Sequence, residues 1–402
     1  MFSKLLEQAG VDLERGRDEE EIEVAPVNIV VIGVGGAGNN SITKLYEMNV
    51  SSAKLVAVNT DLQHLKKTKA HRKILIGENV TRGQGAGGDP RYAFLAAEES
   101  ANDLEDVLRD ADLIFIIAGM GGGTGTGASP FIARLAKDIA KRNNRAREPL
   151  VVAVVTYPFQ YEGNVKLQKA ESGIKALLQY ADTVIVIDNN KLLEYVPDLP
   201  IQEAFKVIDE LIAQMIKSLS DTIARPSLVN IDFADVYTVM KKGGLAVIGF
   251  AESNSNNNRA IDAVMSALNN KLLDVEYQGG KAALIHFTIG PDVTIQEINQ
   301  AMAKVMEHLS DNSEIIWGAR IDDNLKGYVR AMIIMTGVRS KFINPSEVEK
   351  LRAEVDTLEG YSKRGEYTPR AMTSAEKMLL RDFYTTQKDP LVPPFLEDID
   401  EL

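Results

Sequence analysis

Between Val27 and Ile187, short apolar segments alternate with stretches of helical periodicity, and no other feature restricts the possible folds as severely. The segments Val27–Ile32, Lys54–Val58, Lys73–Ile76, Asp112–Ala118, Leu150–Thr156 and Thr183–Ile187 have the length and apolar content of strands. Helical patterns such as Ala93–Leu108 and Phe131–Arg142 lie between them. Strands joined through helices pair in parallel, because such a crossover returns the chain to the same end of the sheet. The expected fold is α/β, a mostly parallel sheet covered by helices on both faces, with functional loops at the C-terminal ends of the strands.

Two of those strand ends run into glycine. The first contains Gly33-x-Gly35-x-x-Gly38, which matches a dinucleotide-binding fingerprint, with Asp61 where a ribose-binding acid would sit. The second, Gly119 to Pro130, leaves the strand at Asp112–Ala118 and opens a helix. Its glycines at 121, 122, 123, 125 and 127 remove Cβ atoms that would block close backbone approach. Consecutive N–H groups and a helix N-terminus supply positive potential, and Thr124 and Thr126 add hydroxyls, so phosphate is the natural ligand. Together with Gly85-Ala-Gly-Gly-Asp89, the two turns point to one polyphosphate surrounded by backbone amides. The pattern Gly-x4-Gly-Lys-Ser/Thr is absent, so charge neutralisation falls to N–H dipoles and Mg²⁺. A nicotinamide-dependent oxidoreductase would use the first turn alone; a flexible glycine loop is the plainer alternative for the second.

After Ile187 the pattern changes. Ile201 to Asp221 reads as one long helix, with Ile208, Leu211, Ile212, Met215 and Leu219 at helical spacing. Strands at Gly244–Ala251, Ala282–Ile289, Ile315–Arg320 and Val329–Thr336 then alternate with helices at Ala260–Leu268 and Ile295–His308, without a phosphate turn, as in a smaller α+β domain. From Ser340 the chain is polar and charged, with one further helical pattern at Ser374–Tyr384, and ends in the apolar Pro390–Leu396 flanked by acids. The expected division is an N-terminal extension (1–26), a nucleotide domain (27–200), a central helix (201–225), an α+β domain (226–339) and a flexible tail (340–402).

Composition removes several chemistries. There is no cysteine, and the four histidines form no close pair, so a metal centre is not expected. A net charge of −12 argues against nucleic acid or anionic lipid as a general partner. The N-terminus lacks the pattern of a signal peptide, and no stretch approaches the roughly twenty apolar residues that span a bilayer. A soluble cytoplasmic protein without direct membrane insertion is the expectation. The basic run Lys141–Arg147 reads as a solvated surface loop or as a lipid or partner contact.

These motifs, taken in order, resemble the FtsZ branch of the tubulin-like GTPases. The resemblance is carried by Val31-Ile-Gly-Val-Gly-Gly-Ala-Gly-Asn-Asn40, Asn59-Thr-Asp61, Gly119 to Gly127, Pro158-Phe-Gln-Tyr-Glu-Gly163 and Asn230-Ile-Asp-Phe-Ala-Asp235, and it spans about Val27 to Val338. It implies a Rossmann-type, parallel-sheet GTPase domain joined by a long central helix to a smaller α+β domain. It further implies head-to-tail filaments of a division ring at mid-cell, with GTP hydrolysed to GDP and phosphate between subunits.

Carried onto this chain, the resemblance places Gly36, Ala37, Gly38, Asn39 and Asn40 along the nucleotide, with Gly87 and Gly88 beside the γ-phosphate. Gly121, Gly122, Gly123, Thr124, Gly125, Thr126 and Gly127 would wrap the phosphates. Glu162 resembles a ribose contact, with Lys166 where an Arg is common, a change that keeps charge but loses the bidentate fork. Asn189 and Asp209 resemble guanine contacts; a carboxylate accepts from both guanine N1–H and the exocyclic amine. Asp209 is expected near the helix start, where it would also complement the macrodipole. Its plainer reading is a solvated helix charge.

Asn230, Asp232 and Asp235 read locally as a helix N-terminal turn with capping acids. By resemblance they are the catalytic acids, reaching the neighbouring subunit's GTP. Mg²⁺ would be held mainly by the phosphates. Pro390–Leu396 resembles a peptide that grips a membrane-tethering adaptor; a tail folded back on its own domain is the alternative. A GTP-binding regulator with weak hydrolysis is the remaining reading of the whole chain.

Overall fold

The first strand, Ile-Val-Val-Ile-Gly-Val, is buried along its whole length, the pattern of a central strand covered on both faces. The computed structural model describes residues 26–363 and residue 373, apart from residues 196–197, 225–226, 242, 256–257, 270–274, 277–279 and 341–344. The N-terminal extension, the helical pattern at Ser374–Tyr384 and the peptide Pro390–Leu396 lie outside the described residues.

The strand–helix unit begins with β1 (Ile29–Val34) and α1 (Gly35–Glu47) and continues through β2 (Lys54–Asn59), α2 (Leu62–Lys67), β3 (Arg72–Leu75) and a short α3 (Glu78–Thr81). Then come α4 (Pro90–Glu99), α5 (Ala101–Leu108), β4 (Leu113–Gly119), α6 (Thr124–Arg142), β5 (Leu150–Tyr157), α7 (Asn164–Tyr180), β6 (Thr183–Asp188) and α8 (Asn190–Tyr195). These strands lie in the order β3-β2-β1-β4-β5-β6, all parallel. Strand order reverses between β1 and β4, where the helices leaving the two strands open a crevice.

The central helix, α9 (Ile201–Ala224), is about 36 Å long at 1.5 Å per residue. It leads to α10 (Phe233–Met240), β7 (Gly244–Ser253), α11 (Arg259–Leu268), β8 (Val275–Glu276), β9 (Gly280–Ile289), α12 (Ile295–Met306), β10 (Leu309–Ile321), β11 (Val329–Thr336), β12 (Arg339–Ser340) and α13 (Pro345–Lys363). β7 pairs in parallel with the start of β6 through Thr183 and Val184, so the second half extends the first sheet to ten strands, ending β7-β11-β9-β10. A buried ion network fastens this seam. Asp182 receives Lys137 Nζ at 2.5 Å and Lys241 Nζ at 3.1 Å, and Lys241 also reaches Glu148 at 3.0 Å. Burial pulls the Lys137 ammonium down to about 8.

Four expectations need correction. The single helix expected over Ala93–Leu108 is two, because Ser100 leaves helical geometry and turns its hydroxyl to accept the Gly77 N–H at 3.0 Å. The helix expected from Phe131 starts at Thr124, so half of the glycine run is helix. Asp209 is not at a helix start. It lies in the third turn of α9, too far in for the macrodipole to act.

The tail expected from Ser340 contains α13, which docks on α7. Arg352 donates to the carbonyls of Leu178, Ala181 and Asp182 at 3.1, 2.8 and 2.9 Å, satisfying the end of α7, while Val348 is buried and Glu347 pairs with Lys175. That docking is largely polar, which is why the composition reads as a linker.

Candidate nucleotide site

A cavity of about 500 Å³ opens between the starts of α1 and α6, at the reversal of strand order. This volume is in the range of small-molecule sites. Its floor is backbone: Gly35, Gly36 and Ala37 from the first turn, and Gly122, Gly123, Thr124 and Gly125 from the second. Asn40, Glu162, Asn189 and Asp209 also line it.

The glycines divide by what an added Cβ would meet. At Gly38, Gly125 and Gly127 it would fall inside contact with the carbonyl oxygens of Ile117, Gly119 and Pro90, so these residues let backbone segments pack. At Gly122, Gly87 and Gly88 it would meet nothing within 4 Å, and at Gly36 only His64 at 3.9 Å. A bare backbone facing open space at a helix start is a cradle for an anion. Gly87 and Gly88 are exposed at positive φ (59° and 75°) outside the cavity lining, with Lys169 Nζ holding Gly88 O at 2.6 Å.

At the other end of the cavity, α9 presents Phe205, Ile208, Asp209 and Ile212. Ser41 Oγ donates to Asp209 Oδ1 at 2.6 Å. Burial pushes the Asp209 carboxyl up to about 6, against the Ser41 hydrogen bond and the nearby Lys44. Asn189 Oδ1 is buried without a partner in the cavity wall. An orphaned acceptor and a costly carboxylate lining one cavity fit a ligand carrying N–H or O–H donors. Glu162 accepts the Phe159 N–H at 2.9 Å with one oxygen and meets Lys166 Nζ at 2.9 Å with the other.

Several expected residues stand elsewhere. Gly38 and Gly127 are packing positions, as above, and Gly121 approaches the backbone of Lys166. Thr126 is buried, its hydroxyl accepting the Gly121 N–H at 2.9 Å. Asp61 caps α2 by accepting from the Gln63 and His64 backbone N–H groups, while His64 itself lines the cavity. Asn39 is fully buried with both amide atoms unpartnered, but it is not in the lining. Sequence reasoning missed His64, Ser41 and Phe205. For Phe205 a signal exists, since it is one helical turn before Asp209.

Asn230, Asp232 and Asp235 do not line the cavity. Asp232 caps α10, accepting the Asp235 N–H at 2.9 Å, while Asp235 accepts the Asp232 N–H at 3.0 Å, so the local reading as capping acids holds. The far end of α10 is tied to the N-terminal ends of β5 and β6, through Thr183 Oγ1 to Met240 O and through Lys241 to Glu148 and Asp182. The cavity is at the strands' C-terminal ends. At the acids' own end of α10, Arg147, just before the start of β5, stands over Phe233, so acids and cradle lie toward opposite ends of the strands.

Two family models match the chain: the Tubulin/FtsZ family GTPase domain over residues 28–197, and the FtsZ family C-terminal domain over residues 244–339. Cell division protein FtsZ 2 of Pyrococcus furiosus is 56% identical over 350 residues, covering 85% of this chain and 86% of that protein. The chain belongs to the FtsZ family. FtsZ 1 of the same organism is 47% identical, with 85% and 88% covered, so the chain is of the FtsZ 2 type. An FtsZ dimer structure from M. jannaschii superposes with a TM-score of 0.70 at 42% identity, covering 85% of this chain and 97% of that one. A protofilament of CetZ2 from Haloferax volcanii gives 0.66 at 25% identity, with 83% and 100% covered.

As an FtsZ-family protein the chain is a tubulin-like polymerising GTPase of cell division. The oxidoreductase reading of Gly33–Gly38 falls with that membership. In an FtsZ-family GTP site built this way, two glycine substitutions separate. Gly122→Ala is expected to leave Tm unchanged and weaken GTP binding about tenfold, since its methyl enters the cradle. Gly127→Ala is expected to cost about 1–3 kcal/mol in stability through its clash with Pro90. Thermal melts and nucleotide titration of both variants check this.

Proposed function

We propose that this chain assembles head to tail, so that the GTP held by one subunit is hydrolysed with Asp232 and Asp235 of the next. The observation that carries the reading is the separation of the cradle from the acids toward opposite ends of the strands. A single subunit cannot bring them together, whereas translation of a second copy along the strand direction can. The open contact between copies is a heterologous one, which propagates as a filament.

In the holding subunit, Asp209 accepts from guanine N1–H and the exocyclic amine, Asn189 takes a further donor, and Phe205 offers a ring face to the base. Glu162 serves the ribose, with Lys166 beside it. The amides of Gly36, Ala37, Gly122, Gly123, Thr124 and Gly125 serve the phosphates, with Gly87 and Gly88 near the γ-phosphate. In the neighbouring subunit, Asp232 and Asp235 orient the attacking water and Asn230 helps to place it, consistent with a reaction that depends on positioning and electrostatics. Mg²⁺, when bound, would neutralise phosphate charge, with the phosphates as its main ligands.

Among the described residues no helix is long and apolar enough to cross a membrane. Pro390–Leu396 is assigned to a membrane-tethering adaptor at the mid-cell ring, because acidic neighbours disfavour direct contact with anionic lipid. Turnover per subunit measured against protein concentration tests the assembly coupling. It should stay near zero below a critical concentration and rise cooperatively above it; a constant rate per subunit would contradict the proposal.

A further inference from the structure

The basic run Lys141–Arg147 has no part in the function described so far, and the structure shows where its arginines go. Arg142 meets Glu105 at 2.9 Å, and Arg145 reaches Ala111 O at 2.6 Å and Asp112 at 2.8 Å. Arg147 does something else. Its guanidinium stands 4.2 Å from the centre of the Tyr237 ring and 5.2 Å from that of Phe233, with no carboxylate in ion-pair range among the described residues. Both rings belong to α10, and Phe233 is the residue directly after the cap Asp232.

The acidic turn is thus held from two domains. On one side Val229 and Ala319 of the edge strand β10 exchange backbone hydrogen bonds at 3.0 Å, and Gly318 lets Ile231 pack close. On the other side, the GTPase domain reaches the start of α10 through Arg147. Lys241 and the Thr183–Met240 hydrogen bond tie the other end of α10 to the same domain, and Lys241 Nζ also stands 5.4 Å from the Tyr237 ring, but Arg147 is the cation over Phe233, next to the cap. We infer that Arg147 is a positioning residue for hydrolysis, clamping Phe233 and Tyr237 so that Asp232 and Asp235 face the neighbouring GTP at a fixed angle. Arg147 is exposed, where a cation over a ring adds little to global stability. Displacement of a reacting group by about 1 Å, by contrast, is enough to cost orders of magnitude in rate.

The inference rests on the reading of Asp232 and Asp235 as the catalytic acids, and its test keeps the two apart. Arg147→Ala, Arg147→Lys, Asp235→Asn and the Arg147→Ala/Asp235→Asn double variant of the full chain are compared for GTP Kd, Tm, sedimented polymer and turnover per assembled subunit. Arg147→Ala should lower turnover per assembled subunit about tenfold with Kd and Tm unchanged. Arg147→Lys, which keeps a cation over the rings, should recover part of the loss. In the Asp235→Asn background the Arg147 change should have almost no further effect, since it acts through the same turn.

Normal turnover in Arg147→Ala beside a deficient Asp235→Asn would overturn the inference and leave the acids' role standing. So would a raised critical concentration with normal turnover per assembled subunit, which makes Arg147 a filament contact, or an undiminished tenfold loss in the double variant. Normal turnover in Asp235→Asn would overturn the underlying reading, and the inference with it.

Discussion

Asp235→Asn is expected to reduce GTP turnover of assembled protein by about 10²–10⁴-fold, the range for removing a group that handles the proton of a nucleophile. GTP Kd should not change, because Asp235 lies toward the end of the strands away from the cradle. Asparagine is the informative replacement. Asp235 and Asp232 each accept the other's backbone N–H at 3.0 and 2.9 Å, and an amide oxygen preserves that reciprocal cap while deleting the charge. Alanine would also remove the cap, at a cost of about 1 kcal/mol, and would confuse a catalytic loss with a displaced turn. Phosphate release normalised to sedimented polymer, with nucleotide titration in parallel, reads the effect. Polymer that persists with GTP intact is the expected phenotype.

Asp209→Asn is expected to weaken GTP binding about 10²-fold or more, from the loss of two charge-assisted hydrogen bonds to the base at about 1.5–3 kcal/mol each. The same substitution should stabilise the unliganded protein. Burial holds the Asp209 carboxyl at about 6, above its unfolded value of 3.8, so it favours the folded state when protonated, and that contribution is lost as pH rises through about 6. At pH 7.5 the buried carboxylate is a net cost, and a neutral amide that still accepts the Ser41 hydroxyl should return about 1–2 kcal/mol.

For the native protein, guanine needs the ionised form. GTP affinity should therefore be flat above pH 6 and fall toward tenfold per unit below it, with proton release on binding in that range. Calorimetry in buffers of different ionisation enthalpy, together with melts of the unliganded Asp209→Asn variant, tests both directions.

Much of the fold is legible in the sequence. The parallel sheet follows from the apolar runs at Ile29–Val34, Leu113–Gly119 and Leu150–Tyr157, which only a doubly covered sheet can bury. The cradle followed from Gly121–Gly127, although its inner boundary did not. Gly125 and Gly127 are helical because Gly119 and Pro90 pass too close for any side chain, a tertiary fact invisible in local sequence. Asp61 is ambiguous for a related reason, since an acid after a strand caps a helix, as it does here, as readily as it binds a ribose. Nothing local marks a third-turn carboxylate such as Asp209 as costly until Ser41 and the cavity wall surround it. The docked helix Pro345–Lys363 and the destination of Arg147 depend on partners about 170 and about 90 positions away in sequence, respectively, where periodicity carries no signal.

The central claim is that one active site is divided between two molecules, and mixing two defective variants tests it most directly. Asp209→Asn subunits lack the base contact but keep Asp232 and Asp235; Asp235→Asn subunits hold GTP but lack the acid. In a mixed filament, an Asp235→Asn subunit's GTP can face the intact acids of an Asp209→Asn neighbour. Turnover of the mixture should then exceed the sum of the two variants measured alone, and should peak near equal proportions. A mixture no more active than that sum, with both variants present in the sedimented polymer, would contradict the account.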